Sequence, residues 1–256
     1  MSAAENQASH GPAPAPPVRE RSAHSVTLGV VYCTGNAGKF REASHVFDEW
    51  NAYGHPLRVQ FHQRDADPVE IQGTAREVCH AKVKAAMEIL VGTAALDNLE
   101  DLKPYDRLDV VSEDVGLELG CLNGFPGVYC KPMLEAVGDG GLWDLVRRYD
   151  DNSARVTCNL GCWPLKLATD GRFVAPDGVS SVAETFVGAL EGSIGPPRGD
   201  VKHGATSWNS VFTPAGRAQT FGETPFEEQA KFSHRRQAIL QYLKQVQEEL
   251  LADPYE

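Results

Sequence analysis

The chain has 256 residues, 42% of them hydrophobic, and carries 24 Lys and Arg against 35 Asp and Glu for a formal charge of −11. That length supports one large α/β domain with an ample core. The acidic balance excludes a broad nucleic-acid footprint, which needs a basic face for counterion release, so any anionic ligand must be held by a local cluster of Lys and Arg or by a metal bridging it to carboxylates.

The first 25 residues are rich in Ala, Pro, Ser and His and lack the apolar stretch of a secretory signal, so a disordered tail is expected there. No apolar run approaches the roughly 20 residues of a membrane span, and a cytoplasmic, soluble chain is expected. The cysteines lie at irregular spacings among apolar neighbours, as reduced core thiols do. Cys158 and Cys162 sit four apart, but no His or Cys pair elsewhere completes a zinc set.

Residues 26–33 form an apolar run that predicts a strand. It stops at Thr34-Gly35-Asn36-Ala37-Gly38-Lys39, after which Phe40, Ala43, Val46, Phe47 and Trp50 fall on helical spacing. A strand passing through a Gly-containing turn into a helix can cradle phosphate: backbone N–H groups face the anion and Lys39 adds a mobile charge. The segment has neither the spacing of a P-loop nor the three glycines of a dinucleotide fingerprint, and a plain βα connection has the same composition.

Residues 57–61 read as a short strand and 64–73 as a polar loop. Residues 74–91 place Val78, Ala81, Ala85 and Ile89 on helical spacing, and the polar stretch 92–109 reads as a surface insertion. Val110 and Val111 open a strand expected to end on Glu113 and Asp114, and residues 117–122 alternate as a second strand. A turn at 123–127 leads to a helix over 132–149 with a break at 138–141. Residues 155–168 and 185–194 have strand composition and predict an antiparallel pair beside a sheet begun by βαβ connections. The last helix spans 233–251, with Ser233 placed to cap it. The whole predicts an α/β fold with a central mixed sheet flanked by helices.

Successive strand side chains point to opposite faces, so only one of Glu113 and Asp114 can enter a given cleft while the other needs a partner behind it. Asp114 is a candidate metal ligand or base, or a solvated strand-end acid. Glu70, on a separate loop, is the kind of second carboxylate a phosphate-bound Mg²⁺ takes. Lys82 and Lys131 are candidates to neutralise phosphate, unless they are simply solvated. Ser233-His234-Arg235 at a helix start suits a nucleobase or a phosphate, or is a cap followed by exposed charges. Trp208 and Asn209, in a run of small polar residues, form either a base pocket or a loop pinned to the core by one aromatic.

Taken together, these segments resemble the inosine triphosphate pyrophosphatase family over about residues 26–243. The shared blocks are Thr34-Gly35-Asn36-Ala37-x-Lys39, the loop 70–73, Glu113-Asp114, Gly124-Phe125-Pro126-Gly127-Val128-Tyr129-Cys130-Lys131, Gly192-Ser193-Ile194 with Pro197-Arg198-Gly199, and Ser233-His234-Arg235. The resemblance implies one domain over 26–251, its two lobes flanking a nucleotide cleft. It implies hydrolysis of non-canonical purine nucleoside triphosphates to the monophosphate and pyrophosphate, and a homodimer. Thr34, Gly35, Asn36, Ala37, Lys39, Lys82 and Lys131 would hold the triphosphate. Glu70 and Asp114 would organise Mg²⁺, or Mn²⁺ in its place, with Asp114 as the base; Trp208, Asn209, Ser233, His234 and Arg235 would meet the nucleobase.

Two departures fall on base recognition. The family's Phe-Gly-Trp-Asp-Pro reads Thr206-Ser207-Trp208-Asn209-Ser210 here, and a family lysine corresponds to Gln229, with Lys231 out of register. An altered base preference is the expectation, and a nucleotide-binding homologue with little catalysis is the alternative. A kinase-like phosphotransferase is disfavoured, because neither a P-loop nor a kinase Gly-rich motif is present.

Overall fold

The computed structural model describes residues 25–66, 68, 71–93, 96, 105–167, 173–174, 183–199 and 207–252. The expected N-terminal tail, Glu70, Thr206 and most of the expected insertion lie outside the described residues.

The apolar run forms strand β1 (Val26–Cys33), paired in parallel on both sides, with β2 (Leu57–Arg64) and β3 (Arg107–Leu119). Helix α1 (Ala37–Ala52) makes the first connection. Helix α2 (Ala75–Gly92) lies on the second and starts with a capping box between Thr74 and Glu77. The two-residue strand β4 (Pro126–Gly127) pairs with β3, and helix α3 (Cys130–Val146) follows it. Then β5 (Ser153–Leu167) runs antiparallel to β3, with the short β6 (Phe173–Val174) at its end, β7 (Glu184–Ile194) antiparallel to β5 and β8 (Phe212–Pro214) antiparallel to β7. A one-turn α4 (Phe226–Gln229) precedes the last helix, α5 (His234–Leu251). The sheet is mixed, in the order β2-β1-β3-β5-β7-β8.

Alternation along β1 sets the layers. Leu28, Val30 and Tyr32 pack with α1 and α5, whereas Val31 and Cys33 pack with Val83, Ala86, Met87 and Leu90 of α2 on the other face. A separate cluster joins α3 to Leu117 and Leu119 of β3, Val156 of β5, and Trp208, Phe212 and Phe221. The two lobes therefore share β3 and β5.

Three expectations need correction. Glu113 and Asp114 do not end a strand: β3 runs on as one 13-residue strand, and Gly120–Leu122 is a turn of 3-10 helix. The strand stays unbroken because β5 pairs with it from Leu108 to Leu119, so cross-strand hydrogen bonds override the polar interruption. Arg107 and Asp109, expected in a surface insertion, belong to β3, where fully buried Asp109 accepts from Arg107 Nε at 2.7 Å and Tyr242 Oη at 2.8 Å. The buried face of α2 is also rotated from the expected one, so that Ile89 is exposed while Cys79, Val83 and Leu90 are buried.

Two glycines position the cleft. Gly138 (φ 68°, ψ 177°) breaks α3, and Asp139 after it accepts from Ser210 Oγ at 2.5 Å, tying α3 to the turn that carries Trp208. At Gly188 of β7, a Cβ would fall 1.8 Å from the His234 carbonyl oxygen, so only glycine lets α5 start this close to the sheet.

Candidate active site

A cleft of about 310 Å³ opens between the lobes, bounded by the first turns of α1, α3 and α5, by α2, β3 and the turn at 207–209. It brings together Asn36, Lys39, Lys82, Asp114, Lys131, Trp208, Asn209, His234 and Arg235, which lie as much as 199 positions apart (235 − 36). Thr34, Gly35, Ala37 and Ser233 are not among the residues that line it.

The turn before α1 is self-capped. Asn36 Oδ1 accepts from the N–H groups of Gly38 (2.9 Å) and Lys39 (3.1 Å), and Thr34 Oγ1 accepts from Asn36 N at 3.1 Å. Two of the N–H groups expected to face an anion are thus engaged by a side chain. Ser233 is likewise a cap, fully buried and accepting from Arg236 N at 3.0 Å.

Asp114 faces the cleft with Lys82 Nζ 3.3 Å from its Oδ1. Its neighbour Glu113 points the other way into a buried cage. Arg235 donates to both Glu113 oxygens at 2.7 Å, Tyr32 Oη donates at 2.5 Å, and Lys39 Nζ stands 3.3 Å away. Burial opposes the charge on Glu113, yet Arg235 and then Lys39 outweigh it and hold the carboxyl well below the usual carboxylate range. Arg235 also donates through Nη1 to Glu42. Its guanidinium, expected to meet a base, thus has three donors committed to carboxylates.

The part of the wall formed by Trp208, Phe221 and His234 carries no charge. Trp208 packs against Phe221 (ring centroids 5.4 Å) and His234 (5.6 Å), so its indole belongs to the core cluster while lining the cleft. His234 is buried, and burial, reinforced by the charge of Arg235, pushes its imidazole down to about 3. Neither of its ring nitrogens has a hydrogen-bond partner among the described residues. Gln229 donates from Nε2 to the carbonyls of Thr224 (2.7 Å) and Phe221. Glu42, Phe221 and Glu135 also line the cleft and carry no motif in the sequence; Glu42 is held there by Arg235, 193 positions away.

A model of the Ham1 family matches residues 30–245. An inosine triphosphate pyrophosphatase of Yarrowia lipolytica is 34% identical over 212 residues, covering 83% of this chain and 92% of that protein. One from Schizosaccharomyces pombe is 30% identical over 216 residues, covering 84% and 94%. Among solved structures, a Ham1 protein of Staphylococcus aureus superposes with a TM-score of 0.60 at 21% identity, covering 86% of this chain and 99% of that one. A HAM1 protein of Coxiella burnetii gives 0.61 at 20%, with the same coverage. These two share the fold.

Proposed function

The chain belongs to the Ham1 family, and from that premise we propose that it is a nucleoside triphosphate pyrophosphatase. Its substrates are non-canonical purine nucleotides such as ITP, dITP and XTP, cleaved to the monophosphate and pyrophosphate in the cytoplasm. The observation that carries the reading is the single cleft holding Lys39, Lys82, Lys131 and Asp114 on one part of its wall and neutral, aromatic Trp208, Phe221 and His234 on another. Such a wall matches a polyanion joined to a flat heterocycle.

Water attacks the α-phosphorus, a new P–O bond forms, and the bond to the bridging oxygen breaks so that the β- and γ-phosphates leave as pyrophosphate. Asp114 orients the water and takes its proton. Lys39, Lys82 and Lys131 offset the charge that builds on the phosphate oxygens. Asp114, whose carboxylate lines the cleft, is an oxygen donor of the kind a hard divalent ion takes, and together with Glu70 it would hold Mg²⁺ or Mn²⁺. When bound, such an ion supplies further positive charge to the phosphates.

The test is pyrophosphate release with Mg²⁺ from ITP, dITP, XTP, GTP and ATP. Turnover of the 6-oxo purines, and a loss of about 10²- to 10⁴-fold in kcat on Asp114→Asn, are expected. Binding without turnover would leave only a nucleotide-binding module, and an undiminished Asp114→Asn would remove the base assignment.

A further inference from the structure

Residues 229–237 divide between two hollows. Gln229, His234 and Arg235 line the cleft, whereas Lys231, Phe232, Arg236 and Gln237 line a second hollow of about 470 Å³, a size suited to a small molecule. Lys231, the lysine out of register, thus lies here and not on the cleft wall. Three cations reach this hollow from separate places: Arg217 from the turn after β8, Lys231 from the turn before α5, and Arg236 from α5 itself. In a chain with a formal charge of −11, that convergence runs against the composition. Glu191 is the one carboxylate among the described lining residues, and Arg155 Nε draws it at 3.1 Å. Glu49 accepts from both terminal nitrogens of Arg236, and Glu228 stands 3.6 Å from Arg217 Nη1. These contacts orient the guanidiniums without using all five N–H donors of either. Lys231 has no ion pair among the described residues.

We propose that this hollow is a second ligand site, for a small phosphate ester whose phosphate meets Arg217, Lys231 and Arg236 and whose flat body lies against Phe232 and Leu240. Two planar guanidiniums and a mobile ammonium match the charge and the three terminal oxygens of a phosphate monoester. The body has an apolar floor, because Phe232 and Leu240 line the hollow and Arg217 Cζ already sits 3.5 Å over the Phe232 ring. The two hollows share an aromatic partition: Phe232 meets Phe221 edge to face at 5.9 Å, and Phe221 packs on Trp208 of the cleft at 5.4 Å.

The experiment follows amide resonances by NMR during titration with AMP and, in parallel, with adenosine, which has the same body and no phosphate. AMP is expected to shift Ala215, Arg217, Lys231 and Gln237 together, saturating with a Kd of about 1 mM or tighter, on a curve distinct from any shift at Gly38 and Lys39 in the cleft. Adenosine should leave the four unmoved at the same concentrations. Arg217 and Lys231 are exposed, so Arg217→Glu with Lys231→Glu should fold and weaken AMP at this hollow by about 10-fold or more. A response to AMP confined to the cleft, an equal response to adenosine, or unchanged AMP affinity in the folded double variant overturns the proposal. If the double variant does not fold, Lys231→Gln takes its place, and unchanged affinity there is equally decisive. Binding here requires no turnover, so a failure to release pyrophosphate from any triphosphate would strike the pyrophosphatase reading and leave this site standing.

Discussion

Replacing Arg235 with Met removes the guanidinium that satisfies two buried carboxylates at once, Glu113 through Nε and Nη2 at 2.7 Å each and Glu42 through Nη1. Tyr32 and Lys39 remain on Glu113, but its side chain is wholly inaccessible to water and one strong partner is gone. Breaking a buried ion pair from one side costs about 3–5 kcal/mol, which in a domain of this size lowers Tm by roughly 12 °C. The pH dependence identifies the cause. In the wild type the Glu113 carboxyl sits below its unfolded value, so its contribution is present above about pH 4.3 and is lost only as pH falls through the depressed folded value. In the variant, burial acts on a carboxylate with less compensation, its folded value rises, and proton uptake on acidification relieves the penalty. The deficit relative to wild type should therefore be largest near pH 8 and shrink towards pH 5, and adding Glu113→Gln should recover part of it. Urea unfolding at several pH values measures this. A deficit under about 1 kcal/mol, or one that does not change with pH, would refute the account.

His234 titrates near 3 in the folded chain against about 6.5 unfolded, so stability should fall as pH drops below 6.5, by up to about 1.4 kcal/mol per unit. Urea melts of His234→Phe should show a shallower acid slope, and an equal slope would contradict the buried neutral imidazole. Lys131→Ala should raise KM for triphosphates by roughly 10-fold at low salt and less at high salt, as steady-state kinetics at two ionic strengths would show; a salt-independent change would count against a phosphate contact. Gly188→Ala should destabilise the protein and shift the His234 amide resonance in NMR spectra, because the added Cβ meets the His234 carbonyl oxygen. Sedimentation velocity should report a homodimer, and a stable monomer at micromolar concentration would remove that expectation.

Much of the frame is legible in the chain because it rests on local signals. The apolar run of β1, the strand composition of β7 and the capping residue Ser233 each identify an element from its own residues. The continuity of β3 is not local. Ser112, Glu113 and Asp114 interrupt the apolar pattern, and only β5 alongside keeps the strand going. Elements as short as β8 and α4, three and four residues, barely complete one period of their pattern. At the site, the residue types at 39, 82, 114 and 131 raise phosphate chemistry as an expectation, and the fold brings all four to one cleft. The role of Arg235 is hidden, because its partner Glu113 lies 122 positions away and the two meet only once α5 has packed on the sheet.

The strands that cross from one lobe to the other also limit how the protein can move. β3 and β5, 13 and 15 residues long and laddered together, form a stiff beam beneath the cleft, with no loop at the crossing to serve as a hinge. Jaw-like closure around a nucleotide would have to bend that beam. Under the proposed function, capture and release would then fall to side chains and rim segments, and substrate entry should be governed by diffusion and by the charge of the cleft lysines.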